Sequence, residues 1–188
     1  MKKILILALA AISLVACNQT SKTESRGTEE EAAGKTLVAY FSATGTTQAA
    51  AELLAQALSA DLFEIAPEQP YSEDDLNWRD SLSRSSVEMK DASFRPAIKS
   101  MPDDMGRYDT VYIGFPIWWG VAPRIINTFI ENASLDGVTV IPFATSGGSE
   151  IEPALDALSA AYPDIAFGEG RLLNDVSPAD IEAWVAQP

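Results

Sequence analysis

From Thr36 onward the chain alternates between two hydrophobic periods. Thr36–Phe41, Asp109–Phe115 and Val138–Ala144 are short, nearly uncharged apolar runs, the pattern of strands covered on both faces. Asp61–Ala66 is a shorter run, and Ile165–Leu172 reads as a weak edge strand. Between them the period lengthens. Thr46–Ser59 sets Leu53, Leu54, Ala57 and Leu58 on one helical face. Pro123 suits the first turn of a helix that buries Ile125, Ile126, Phe129 and Ile130. Ser149-Glu-Ile-Glu152 reads as a capping box opening a helix through Leu158. Ser177-Pro-Ala-Asp180 starts a last helix that buries Ile181, Trp184 and Val185. Strand and helix in alternation predict an α/β fold with a parallel sheet. Five such strands with right-handed crossovers can stack in the order 2-1-3-4-5.

Two stretches resist this pattern. Pro142 lies inside the fourth strand, where it removes a ladder donor; a bulge near the strand end would accommodate it. Pro67–Pro102 is long and polar, and stands where a second crossover helix is expected. It reads as one irregular helix, about Glu73–Lys90, within long loops.

The order 2-1-3-4-5 makes strands one and three neighbours whose connections leave in opposite directions. Ligands of open α/β sheets bind in the crevice beyond the carboxyl ends of such strands. Three segments meet there: Ser42-Ala-Thr-Gly-Thr-Thr47, Pro116-Ile-Trp-Trp-Gly120 and Thr145-Ser-Gly-Gly-Ser149. The first enters a helix, whose N-terminal amides favour an anion. Gly45 allows a tight turn, and Ser42, Thr44, Thr46 and Thr47 add hydroxyl donors without any Lys or Arg. In the second, Trp118 or Trp119 stacks on a flat ring while the other belongs to the core, and Gly120 leaves room for a peptide flip. In the third, Gly147 and Gly148 let backbone amides approach a ligand edge. A phosphate, a flat ring and a closely approached edge describe flavin mononucleotide (FMN). Gly34-Lys-Thr36 is no nucleotide-binding loop, because Glu29 stands where its first glycine belongs.

Composition narrows the chemistry. There is no histidine and one cysteine, Cys17. Met1-Lys-Lys and the apolar Ile4–Val15 form a secretory signal too short for an ordinary membrane span. Its end, Leu14-Val-Ala-Cys17, resembles a bacterial lipoprotein signal, which implies cleavage before Cys17 and lipidation there. The expected organisation is a leader over 1–17, a polar tether over 18–34 and one domain over 35–188, located in the cell envelope and facing outside the cytoplasm. With Cys17 lipidated, histidine general-base chemistry, thiol redox chemistry and His/Cys zinc sites drop out, so any redox chemistry must come from a cofactor. No twin arginine precedes the apolar stretch, so export is expected to be unfolded and the cofactor acquired afterwards. The net charge of −14 argues against nucleic acid as a partner. It suits either a basic docking partner or simply a solvated surface.

Thr36-Leu-Val-Ala-Tyr-Phe-Ser-Ala-Thr-Gly-Thr-Thr47 resembles the first strand and phosphate loop of flavodoxins. Gly114-Phe-Pro-Ile-Trp-Trp-Gly-Val-Ala-Pro123, Pro142-Phe-Ala-Thr-Ser-Gly-Gly-Ser149 and the Tyr71…Glu88…Arg95-Pro96 stretch are similar to a bacterial flavodoxin-like family. The resemblance implies a three-layer flavodoxin-like fold and noncovalent FMN. By it, Ser42, Thr44, Gly45, Thr46 and Thr47 hold the phosphate. Pro116, Ile117, Trp118, Trp119 and Gly120, with Thr145, Ser146, Gly147 and Gly148, surround the isoalloxazine. The third loop lacks the aromatic that many flavodoxins place over the outer ring face. That face is then open to a substrate or covered from Pro67–Pro102, for example by Trp78. The expectation is a lipid-anchored electron-transfer protein exchanging electrons with a redox partner protein or a small-molecule acceptor. The alternatives are a flavin-dependent NAD(P)H:quinone-type reductase and a surface lipoprotein that has lost its cofactor.

Overall fold

In the computed structural model, residues 35–186 are described; the leader, Cys17 and the tether lie outside the described residues. Among them six strands form one parallel sheet: β1 (Lys35–Tyr40), β2 (Asp61–Glu64), β3 (Tyr108–Pro116), β4 (Thr139–Thr145), β5 (Ala166–Phe167) and β6 (Arg171–Leu172). The order is β2-β1-β3-β4-β5, the one the family resemblance implies, with β6 also on β4. The helices are α1 (Thr46–Leu58), α2 (Arg84–Lys90), α3 (Arg124–Asn132), α4 (Glu152–Ala161) and α5 (Pro178–Val185).

Burial on both faces explains why the central strands read as continuous apolar runs. Leu37, Ala39, Phe41, Val111, Ile113, Phe115, Val140 and Ala144 face one core, completed by Ile125, Ile126, Phe129 and Ile130 of α3 and Ala154 and Leu158 of α4. Val38, Tyr40, Tyr112 and Phe143 face the other, under α1 and α5. On α1 the buried residues are Thr47, Ala50, Ala51, Leu54 and Ala55. Ala57, expected on that face, is exposed. The helix packs through its small residues, which lets it lie close to the sheet. α5 starts at Ser177 as expected, with a capping box between Ser177 and Asp180, and buries Ile181, whereas Trp184 and Val185, also expected inside, are only part-buried.

Four other expectations need correction. Pro142 causes no bulge: it pairs in register with Ile113. Gly168 N–H donates to the Val140 carbonyl and Leu173 N–H to the Ala144 carbonyl, so residues 140, 142 and 144 turn their polar groups to the outer edge. Pro142 therefore faces the gap between β5 and β6, where no strand residue pairs with it. The expected edge strand over 165–172 is accordingly two short pieces. Ser149 does not cap α4, whose N-cap is Ile151 with no side-chain bond. Its N–H donates instead to Ser146 Oγ at 2.6 Å.

The expected helix over Glu73–Lys90 is helical only from Arg84. Local side-chain bonds compete with the helix before that point. Ser72 Oγ and N–H donate to Asp75 Oδ2, Arg79 N–H to Asn77 Oδ1 and Leu82 N–H to Asp80 Oδ1. Ser83 then caps α2 by accepting from Ser86 N–H. The excursion is closed at its base, where Glu68 N–H donates to Ala97 O and Lys99 N–H to Ala66 O.

Among the described residues no helix is long and apolar enough to cross a membrane, and no group of three or more His, Cys, Asp or Glu could hold a metal ion.

Gly114 sits beside Phe143 across β3 and β4. A Cβ there would fall 2.1 Å from the Phe143 ring. Gly114→Ala is expected to cost about 1–3 kcal/mol or more through overpacking. A further Phe143→Leu change should recover part of the loss, read by urea unfolding.

Candidate functional site

The C-terminal ends of β1, β3 and β4 open into a cavity of about 850 Å³. Of the residues expected there, Thr44, Thr46, Thr47, Pro116, Ile117, Trp118, Trp119, Thr145, Ser146, Gly147 and Gly148 line it. Ser42, Gly45 and Gly120 do not; they shape the loops behind it. Ser42 Oγ accepts from Gly45 N–H at 3.1 Å, and Gly45 takes φ 89° as the N-cap of α1. That residue has no side chain to cap the helix, and the first turn carries no acidic group. The amides of that turn are left to a ligand beside the cavity. Thr44 and Thr46 are exposed at its edge, whereas Thr47 is buried.

A buried hydrogen bond joins the first and third loops: Thr47 Oγ1 and Thr145 Oγ1 lie 2.8 Å apart. The second loop is tied to the third by Ile117 N–H donating to Thr145 O at 2.9 Å. Beyond Ile117 the chain turns back, with Trp118 and Val121 exchanging two backbone bonds. The central residues Trp119 and Gly120 have φ 49° and 78°. Positive φ at both positions is the geometry of a type I′ turn, costly for a bulky residue at the first. Such backbone strain is retained chiefly where a site requires it.

This turn separates the two indoles. Trp118 is part-buried and meets Phe41 and Tyr71 edge-on, at centroid distances of 5.6 and 5.4 Å. Trp119 is 51% exposed. Both line the cavity, but Trp119 alone is free of aromatic neighbours among the described residues.

In the third loop, Ser146 N–H donates to Asn174 Oδ1, while Ser146 Oγ accepts from Gly148 and Ser149 N–H. The expected presentation of several amides is therefore reduced. Gly147 N–H remains without a partner among the described residues.

The other wall comes from the long excursion. Leu76, Trp78 and Ser85 line the cavity, and of these the sequence singled out only Trp78. Leu76 and Ser85 carried no signal, since their place depends on how the irregular segment folds. A compact node holds this wall. Tyr71 Oη donates to Glu88, Arg84 Nε donates to the same carboxylate at 2.7 Å, and the Arg84 guanidinium lies 4.0 Å from the Tyr71 ring centroid. Burial, then the bond to Glu88, pushes the Tyr71 hydroxyl well above the usual phenol range. Arg95, from the same stretch, forms a two-pronged pair with Glu131 of α3.

Among the described residues, none that lines the cavity is ionisable. In a chain of net charge −14 this is the feature that defines what the cavity can hold. Hydroxyls and helix-end amides accept an anion at one end, and indole and proline surfaces accept a flat apolar body alongside. No side chain there can act as an acid, a base or a nucleophile of lowered pKa.

A family model described as Flavodoxin matches residues 35–188. The crystal structure of a protein assigned as a flavoprotein from Bacteroides eggerthii aligns with 58% identity and a TM-score of 0.79, covering 81% of this chain and 96% of that one. A second such protein, from Bacteroides uniformis, aligns with 55% identity and a TM-score of 0.80, covering 82% and 99%. A flavoprotein of Lactobacillus acidophilus, solved in complex with FMN, shares the fold at 22% identity and a TM-score of 0.63, over 81% and 99% of the two chains. No curated protein matches. With the sheet order, the three converging loops and a match over the whole described domain, the chain belongs to the flavodoxin family.

Proposed function

We propose that this protein binds FMN noncovalently and transfers electrons, held at a membrane surface outside the cytoplasm by lipid on Cys17. The observation that carries the cofactor reading is the uncharged cavity where a hydroxyl loop, a paired-indole turn and a glycine loop converge. FMN, when bound, supplies the reversible uptake and release of electrons, which no side chain of this cavity can provide. Thr44, Thr46 and the uncapped amides of α1 would hold its phosphate. Ser42 and Gly45 keep that loop in its turn. Thr47, bonded to Thr145, fixes the spacing between the phosphate loop and the β4 loop. Trp119 offers a ring face at the mouth of the cavity, and Trp118 supports the wall. Gly147 N–H is the free donor of the third loop. The acidic surface disfavours added negative charge on the reduced cofactor and would lower its potential. The anchor rests on Leu14-Val-Ala-Cys17 following a short apolar leader.

FMN titrated into the purified chain should lose its fluorescence with sub-micromolar affinity. A Thr44→Ala/Thr46→Ala variant should bind at least tenfold more weakly, since each hydrogen bond to a charged group contributes about 1.5–3 kcal/mol. Its unfolding midpoint should not move, because both residues are exposed. No quenching at large FMN excess would sink the cofactor reading and leave a lipoprotein with an inherited fold.

The two indoles should separate in the same assay. Trp119→Ala should weaken FMN, losing about 0.5–1.5 kcal/mol of stacking besides its contact area, at little cost in stability. Trp118→Ala should also destabilise the fold, by about 2 kcal/mol or more, because Phe41 and Tyr71 lose their shared neighbour.

Cys17→Ser should shift the protein from the membrane to the soluble fraction and abolish labelling by an alkyne fatty acid. Unchanged membrane retention would refute the anchor.

A further inference from the structure

Beside the main cavity lies a groove of about 250 Å³, which shares Trp78 and Trp119 with it. Its remaining wall includes Met89, Arg79 and Lys90. Two features distinguish it from the rest of the surface. Trp78 is 61% exposed, so two large indoles stand open to solvent at one place. Among the described residues the lining also holds two cations and no carboxylate, in a chain with 27 acidic residues against 13 basic ones.

Neither cation is neutralised by a described residue. The ion pairs among the described residues are Arg84–Glu88, Arg95–Glu131 and Arg107–Asp61. The Arg79 guanidinium lies 4.2 Å from the Trp78 ring centroid, and its side chain makes no hydrogen bond among the described residues. Among the described residues Lys90 Nζ donates only to the Ser81 carbonyl, at 2.6 Å, and meets no carboxylate. An arginine stacked on an indole keeps its in-plane donors free for an anion.

We propose that this groove binds a small planar aromatic anion, its ring against Trp78, Trp119 and Met89 and its charge between Arg79 and Lys90. The volume is below that of a drug-sized site, which limits the ligand to one or two rings. The shared indoles put such a ligand directly beside the main cavity. The groove thus names the class of small molecule that exchanges electrons there, a role that rests on the FMN reading. The binding itself does not.

The test uses the full chain, labelled with nitrogen-15 at its four tryptophans. It is titrated with 2-naphthalenesulfonate and with neutral 2-naphthalenesulfonamide, each with and without FMN. The sulfonate should bind at least tenfold more tightly than the sulfonamide. The indole signals of Trp78 and Trp119 should move, and that of Trp184, packed on Tyr112 under α5, should not. An Arg79→Gln/Lys90→Gln variant should lose the tenfold preference while its FMN titration stays unchanged. Equal binding of the two probes would overturn the proposal. So would displacement of the sulfonate by FMN, which would mean it had entered only the main cavity. Shifts of Trp78 and Trp119 caused by phosphatidylglycerol vesicles but not by the sulfonate would overturn it in favour of a lipid surface. Failure of FMN to bind would refute the cofactor reading alone, because the naphthalene titrations without FMN still decide the groove.

Discussion

When neighbouring strands run parallel and are covered on both faces, the chain has to leave each of them at the same edge of the sheet. Here the register aligns Tyr40 with Gly114 and Gly114 with Phe143, so β1, β3 and β4 end at nearly one level. The loops that follow are thereby brought together although they lie far apart in sequence. The alignment is tight in its details. The Phe143 ring occupies the space that any side chain at Gly114 would need. Thr47 and Thr145, ninety-eight residues apart, share a buried hydrogen bond at the end of β4. Burial makes that bond matter, since an unpaired hydroxyl there would have no water to turn to.

Charge is distributed unevenly around this frame. The chain is strongly acidic, yet among the described residues no ionisable group lines the main cavity. Neutral donors suit an anion inside an acidic protein, since they bind it without lysine or arginine and without repulsion from nearby carboxylates. The unpaired cations Arg79 and Lys90 stand just outside, around the neighbouring groove. The two spaces meet at Trp78 and Trp119, so one pair of indoles bounds both.

The segment between β2 and β3 supplies the wall that the regular fold does not. Its conformation is governed by short-range polar contacts and by one node. Ser72, Asp75, Asn77 and Asp80 bond to the nearby backbone and delay the helix until Ser83 can cap it. Tyr71, Arg84 and Glu88 then clamp the segment, with Glu88 almost fully buried and satisfied by both partners. Buried charge held this way is costly to disrupt, because removing either partner strands the other.

The amino-acid sequence by itself determined the layers and the meeting of the three loops. Period-two and period-3.6 patterns report burial directly, and the nearly uncharged runs of β1, β3 and β4 leave little choice of neighbours. Hydroxyls after β1 and glycines after β4 could be read because local backbone chemistry restricts what such residues do. Tertiary structure decided what depends on distant partners. Trp118 and Trp119 are identical in type, and only the turn closed by Val121, with Phe41 and Tyr71 on one side, makes the first a support and the second an open face. Ser149 looked like a cap by spacing, but the Ser146 hydroxyl takes its amide first. Pro142 looked like a fault in a strand until the gap between β5 and β6 gave it an unpaired edge. The places of Leu76, Trp78 and Ser85 follow from an irregular path with no period to read. There the competition between side-chain and backbone hydrogen bonds is settled only when the whole segment packs.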